Sequence, residues 1–167
     1  MRILGIDPGT ATTGYGVIES VQGEVRALAF GAIRTPPGQT LPTRLQTIYQ
    51  QVSALAAEWR PSMAAVEELF FSRNVRTAIA VGHARGVTLL ALADAGLEVA
   101  EYTPTAIKLA LTGYGQADKA QMQEMVRLLL GLAQAPSPDD AADALAVAIC
   151  HLNSARLTAM ADGEDVG

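Results

Sequence analysis

The sequence predicts a mixed α/β domain, one five-stranded sheet with helices on its faces, and three observations predict it. Three short apolar runs follow one another within the first 34 residues, too close for helices between them, so their strands pair as antiparallel hairpins. Beyond residue 40 the apolar positions fall at intervals of three and four, interrupted by two further short apolar runs. The chain has 167 residues, 50% of them hydrophobic and 17% charged, which suits a single packed domain and is too apolar for a disordered chain.

Residues 2–7 are too brief a run for a helix and close at Pro8-Gly9, so they form a buried strand with Asp7 at its C-terminal end. Residues 14–18 form a second strand, and Gln22-Gly23 turns into a third over about 24–34, ended by Pro36-Pro37-Gly38. Leu45, Ile48, Val52, Leu55 and Trp59 mark an amphipathic helix over 42–59, stopped by Pro61. Residues 63–67 are a fourth strand, and it too finishes in a carboxylate, Glu67. A helix over 74–94 ends at Gly96 and leads to a last strand, 97–102, which the helical crossover makes parallel to its predecessor. Pro104 starts a short helix to 111, and 117–130 form another. Ser137-Pro138, as a cap and first-turn proline, opens a terminal helix to about 156. Three antiparallel strands followed by two parallel ones is an RNase H-like arrangement. Residues 1–155 are expected to form this domain, and 156–167 a poorly ordered acidic tail.

The formal net charge of −5 and an isoelectric point near 4.9 argue, as totals, against a nucleic-acid partner. The distribution argues otherwise. Residues 25–57 hold Arg26, Arg34 and Arg44 without an acid, residues 69–93 hold Arg73, Arg76 and Arg85 without one, and Asp162, Glu164 and Asp165 crowd the end. No apolar run approaches the roughly 18–20 residues needed to span a bilayer, and Asp7 interrupts the stretch a secretory signal would need. No membrane partner is expected. A single cysteine, Cys150, makes no intrachain disulfide and suits a cytoplasmic protein. Cys150, His151 and His83 lack the spacing of a zinc or thiol site.

Several carboxylates sit where the pattern is apolar. Asp7 at a Pro-Gly turn has an ordinary explanation as a turn cap, but Glu67 ends a strand expected between helices, where an ionised carboxylate is costly without a partner. Asp143 is the one charge between residues 141 and 150. Asp139 and Asp140 suit the positive end of a helix dipole, yet each also shares a face with Asp143, and spacing does not choose between them. Converging carboxylates either take up protons or hold a cation. An all-oxygen set suits Mg²⁺ or Mn²⁺, and two such ions about 4 Å apart activate a water and stabilise the leaving oxygen of a phosphodiester. Neutralising four carboxylates would also bring the charge close to zero.

Ile6-Asp7-Pro8-Gly9 with Gly14-Tyr15-Gly16-Val17-Ile18, Ala65-Val66-Glu67 with Phe70, Ala84-Arg85-Gly86-Val87, and the run from Asp140 through Asp143 to Ala146 together resemble the RuvC family of Holliday junction resolvases, in order from residue 1 to about 155. The resemblance implies an RNase H fold, a homodimer in contact through the 74–94 helix, two Mg²⁺ or Mn²⁺ ions per site, and symmetric nicking of a four-way DNA junction that leaves 5′-phosphate and 3′-hydroxyl ends. It also implies that Asp7, Glu67, Asp140 and Asp143 are the metal ligands, that Phe70 stacks on a base, and that Lys108 and Lys119, the two lysines of the chain, contact phosphate. Arg73 and Arg76 are further phosphate candidates, and a branch-migration motor is a candidate partner.

Two other classes remain distinguishable. Asp7-Pro8-Gly9-Thr10 before a glycine hairpin is similar to the phosphate loop of actin-like ATPases, but the chain has length for one such domain and no second loop. A non-catalytic junction-binding module would have no need of all four acids.

Overall fold

The structure, a computed structural model, describes residues 1–68 and 74–162. Its elements are β1 (Arg2–Asp7), β2 (Thr12–Val21), β3 (Glu24–Arg34), α1 (Leu41–Trp59), β4 (Met63–Glu67), α2 (Val75–Asp94), β5 (Val99–Tyr102), α3 (Pro104–Thr112), α4 (Lys119–Leu129) and α5 (Asp139–Asp162). They form one sheet of order β3-β2-β1-β4-β5, in which β1, β2 and β3 are antiparallel and β4 and β5 continue parallel to β1.

Strand alternation sorts the core into two halves. Leu4 and Ile6 of β1, with Ala64 and Val66 of β4, face α1 and α2 and pack on Ile48, Val52, Ala84 and Leu92. Ile3 and Ala65 point to the other face, beneath α3, α4 and α5, and meet Ile107, Val126, Leu145 and Ala148. Gly5 lies between Ile3 and Asp7, and a Cβ there would run into the Ala144 carbonyl oxygen of α5. At Gly14 a Cβ would strike the Asp140 carbonyl oxygen. The helix thus lies directly on the sheet backbone.

Several boundaries differ from expectation, each for a local reason. β2 runs from Thr12 to Val21, past the expected 14–18, because its ladder with β3 continues through polar residues up to the two-residue turn at Gln22 (φ 49) and Gly23 (φ 85). β5 begins at Val99, not Leu97, because the Leu97 N–H still donates to the Leu92 carbonyl at 3.1 Å, closing α2 around Gly96 (φ 74). Asp118 starts α4 later than expected by accepting from the Gln121 N–H while the Gln121 side chain accepts from the Asp118 N–H. At the head of α5 the first acceptor is the Pro138 carbonyl, which takes the Ala141 N–H at 2.9 Å, so Pro138 precedes the helix that it was expected to begin.

α5 is helical to Asp162, well past the boundary expected at 156, and the Arg156 guanidinium donates to Ser20 Oγ at 2.9 Å and to the Gly23 carbonyl at 3.1 Å. Residues 139–161 also have the length and mean hydropathy of a bilayer-crossing helix, contrary to the expectation that no such run exists. The reason is packing: from Ala141 to Leu152 every residue but Asp143 is buried, as in the central helix of a packed domain.

Candidate active site

The same alternation that divides the core aims the acids. Ile3, Gly5 and Asp7 share one face of β1, and Met63, Ala65 and Glu67 share that face of β4. Because Ile6 is in register with Val66, the next residues, Asp7 and Glu67, stand side by side at the strand ends, beneath α5. Asp140 and Asp143, one helical turn apart, come to them from above. Four carboxylates from one strand pair and one helix turn therefore form one group.

Their electrostatics follow from burial and mutual charge. The Asp7 carboxyl is pushed far above the ordinary carboxylate range, first by desolvation, then by the charge of Glu67 and a hydrogen bond shared with it, then by Asp143 and Asp140. Burial raises Glu67 as well, with the charge of Lys108 opposing, so the two titrate as a pair around a shared proton. Burial also raises Asp143, against the pull of Lys119. Among the described residues no three His, Cys, Asp or Glu side chains are closed around a cation position. Burial and mutual charge favour a proton on the Asp7 and Glu67 pair, the first of the two choices open to converging carboxylates. The donor set, oxygen throughout and half-buried, fits a hard divalent cation as the second.

Lys108 on α3 and Lys119 at the head of α4 line, with Glu67 and Asp143, a cavity of about 110 Å³ beside this group. Lys119 Nζ donates to Asp139 Oδ2 at 2.8 Å, and Gln123 Nε2 donates to Asp139 Oδ1 at 2.9 Å. Asp139 thus holds Lys119 and Gln123, a role its place in the sequence did not suggest. Arg76, in the first turn of α2, is exposed. Phe70 and Arg73 lie outside the described residues. Arg85 forms an ion pair with Glu101 across α2 and β5, so its charge is spent within the fold.

Cys150 and His151 are buried apart from the acids. His151 Nδ1 lies 2.8 Å from the Tyr102 hydroxyl, and burial raises the Cys150 thiol to about 11, as suits packing rather than chemistry.

A model of the family described as crossover junction endodeoxyribonuclease RuvC matches residues 3–151. This chain belongs to the RuvC family. A relative from Chloroflexus aggregans, named crossover junction endodeoxyribonuclease RuvC, is 61% identical over 93% of this chain and 94% of its own length. One of the same name from Rubrobacter xylanophilus is 58% identical over 94% of this chain and 88% of its own. Thermus thermophilus RuvC, solved in complex with a Holliday junction substrate, superposes with a TM-score of 0.90 at 39% identity, covering 95% of this chain and 96% of that one. The yeast mitochondrial Holliday junction resolvase Ydc2 shares the fold, with a TM-score of 0.70 at 12% identity over 93% of this chain and 80% of that one. Like its RuvC relatives, the protein is a crossover junction endodeoxyribonuclease built on an RNase H-like sheet.

Among the signals that sequence reasoning did not use, Gly5 is the most legible: a glycine inside an apolar strand marks a close backbone approach.

Proposed function

We propose that this protein resolves four-way DNA junctions by divalent-metal-dependent hydrolysis of one phosphodiester in each of two symmetric strands, acting as a homodimer in the cytoplasm. The observation that carries this reading is the grouping of Asp7, Glu67, Asp140 and Asp143 beside Lys108 and Lys119.

Asp7, Glu67, Asp140 and Asp143 would hold two Mg²⁺ or Mn²⁺ ions, which supply Lewis-acid activation of water and neutralisation of the leaving oxygen. Lys108 and Lys119 hold the phosphate backbone over the acids without reading sequence. Lys119 is oriented for this by Asp139, which keeps its ammonium at the rim of the group. Half-burial of the acids excludes bulk water and strengthens each of these interactions.

The dimer is supported by α2, whose exposed side carries Val75, Ile79, His83, Gly86 and Leu90, with Val75 69%, Ile79 56% and Leu90 55% exposed. An apolar stripe at helical spacing on the outside of a domain fits a partner of its own kind, and a two-fold dimer matches a substrate with two strands to cut.

Cleavage of a synthetic four-way junction, compared with a linear duplex in Mg²⁺, Mn²⁺ and chelator, tests the reading. Paired nicks with 5′-phosphate ends, confined to the junction and to the metal-containing reactions, are expected. Equal cutting of linear duplex, or cutting that survives chelation, would overturn it.

A further inference from the structure

The acids border two grooves, of which the lysine-lined cavity is one. The other, about 560 Å³, lies toward the α1 and α2 side, and its lining includes Gly9, Thr10, Arg44, Arg76, Thr77 and Asp140. Asp140 therefore belongs both to the acid group and to the groove wall, so a strand lying across the acids continues into this groove.

Charge selects two arginines here. Of the described arginines in the two acid-free stretches, Arg26 is paired with Glu19 and Arg85 with Glu101, whereas Arg34, Arg44 and Arg76 pair with no acid among the described residues, and of these three Arg44 and Arg76 line the groove. Arg44 is also held in place. Its Nε donates to Thr35 Oγ1 at 2.8 Å, Thr35 Oγ1 donates to the Thr10 carbonyl at 2.6 Å, and Thr10 Oγ1 donates to the Ala80 carbonyl of α2 at 2.6 Å. Thr35 is buried, so the anchor does not compete with water. This chain of hydrogen bonds joins α1, the loop after Asp7 and α2, and it uses one of the five guanidinium N–H donors, leaving the terminal nitrogens for a ligand.

We propose that this groove binds a backbone phosphate of the cut strand, neighbouring the scissile one, with Arg44 and Arg76 as its ligands and Thr35 as the residue that positions Arg44. The inference rests on the nuclease reading above and extends it: the strand is gripped on both sides of the acids, by lysines on one and arginines on the other. A single phosphate oxyanion between two guanidinium groups is the chemistry both arginines favour.

The test is the salt dependence of junction binding by the full chain in chelator, followed by single-turnover nicking in Mg²⁺ or Mn²⁺. Each lost phosphate contact lowers the slope of log affinity against log salt by about 0.7–0.9. Arg44→Gln and Arg76→Gln are each expected to lower the slope by that amount and to slow nicking, Arg44→Lys to retain the slope, and Arg60→Gln, at the far end of α1, to leave slope and nicking unchanged. Should Arg44→Gln fail to fold, Arg76→Gln on the exposed first turn of α2 reads the same contact. Wild-type slopes in the Gln variants, with a wild-type enzyme that nicks junctions normally, overturn this inference alone. A wild-type enzyme that does not nick junctions overturns the nuclease reading with it.

Discussion

Asp7 and Glu67 sit side by side at two strand ends, and their burial decides how the protein responds to pH. Both are raised above ordinary carboxylates, so the folded state holds a proton that the unfolded state has released. Their contribution to stability is complete at low pH and is lost as pH rises through the raised value. His151 acts in the opposite sense, because burial lowers it below 6.5, but it is neutral in both states above about pH 7. In chelator, the thermal midpoint is therefore expected to fall as pH rises toward about 9, where the raised Asp7 value lies, to recover on addition of Mn²⁺, and to lose most of this dependence in Asp7→Asn, as read by differential scanning calorimetry. The same variant is expected to abolish nicking while leaving junction binding intact; residual nicking at a near-normal rate would count against Asp7 as a ligand. Asp139→Ala separates the two neighbouring aspartates. Its carboxylate is exposed and bonded to Lys119 and Gln123, so the thermal midpoint is expected to stay put while nicking slows modestly, in contrast to the full loss expected for Asp140→Asn.

At the scale of elements, α5 can bring Asp140 and Asp143 to Asp7 because Gly5 and Gly14 offer it bare backbone. Gly14→Ala places a methyl group against the Asp140 carbonyl, and overpacking of this kind costs about 1–3 kcal/mol. Urea denaturation is expected to show that loss, and nicking to fall further than stability does, because the helix that must shift carries two of the acids. Much of this was legible in the sequence. The strand-ending acids and the lone charge in the 141–150 run each broke an apolar pattern, and these are the residues that the fold gathers into one group. The ends of β2 were not legible, since Thr12, Thr13, Glu19 and Ser20 are paired by a ladder that hydropathy does not record. Nor were the partners of Asp139, which depend on where Lys119 and Gln123 stand in space. Arg44 was visible only as part of a basic stretch, because what singles it out is a buried threonine nine residues away.

Across the whole molecule, the exposed stripe of α2 is where the proposed dimer is put to the test. Ile79→Glu is expected to shift sedimentation from dimer toward monomer without loss of helix content, and to convert paired nicks into single, uncoordinated ones on a plasmid-borne cruciform. A dimer that survives this substitution and its Leu90→Glu counterpart would place the contact elsewhere.

One helix supplies both the centre of a core half and half of the acids, and it follows every other described element in the sequence. During translation Asp7 leaves the ribosome first, and Asp140 and Asp143 follow only after all five strands and α1–α4. A nascent or prematurely terminated polypeptide that lacks α5 has neither a closed hydrophobic interior nor a complete set of acids.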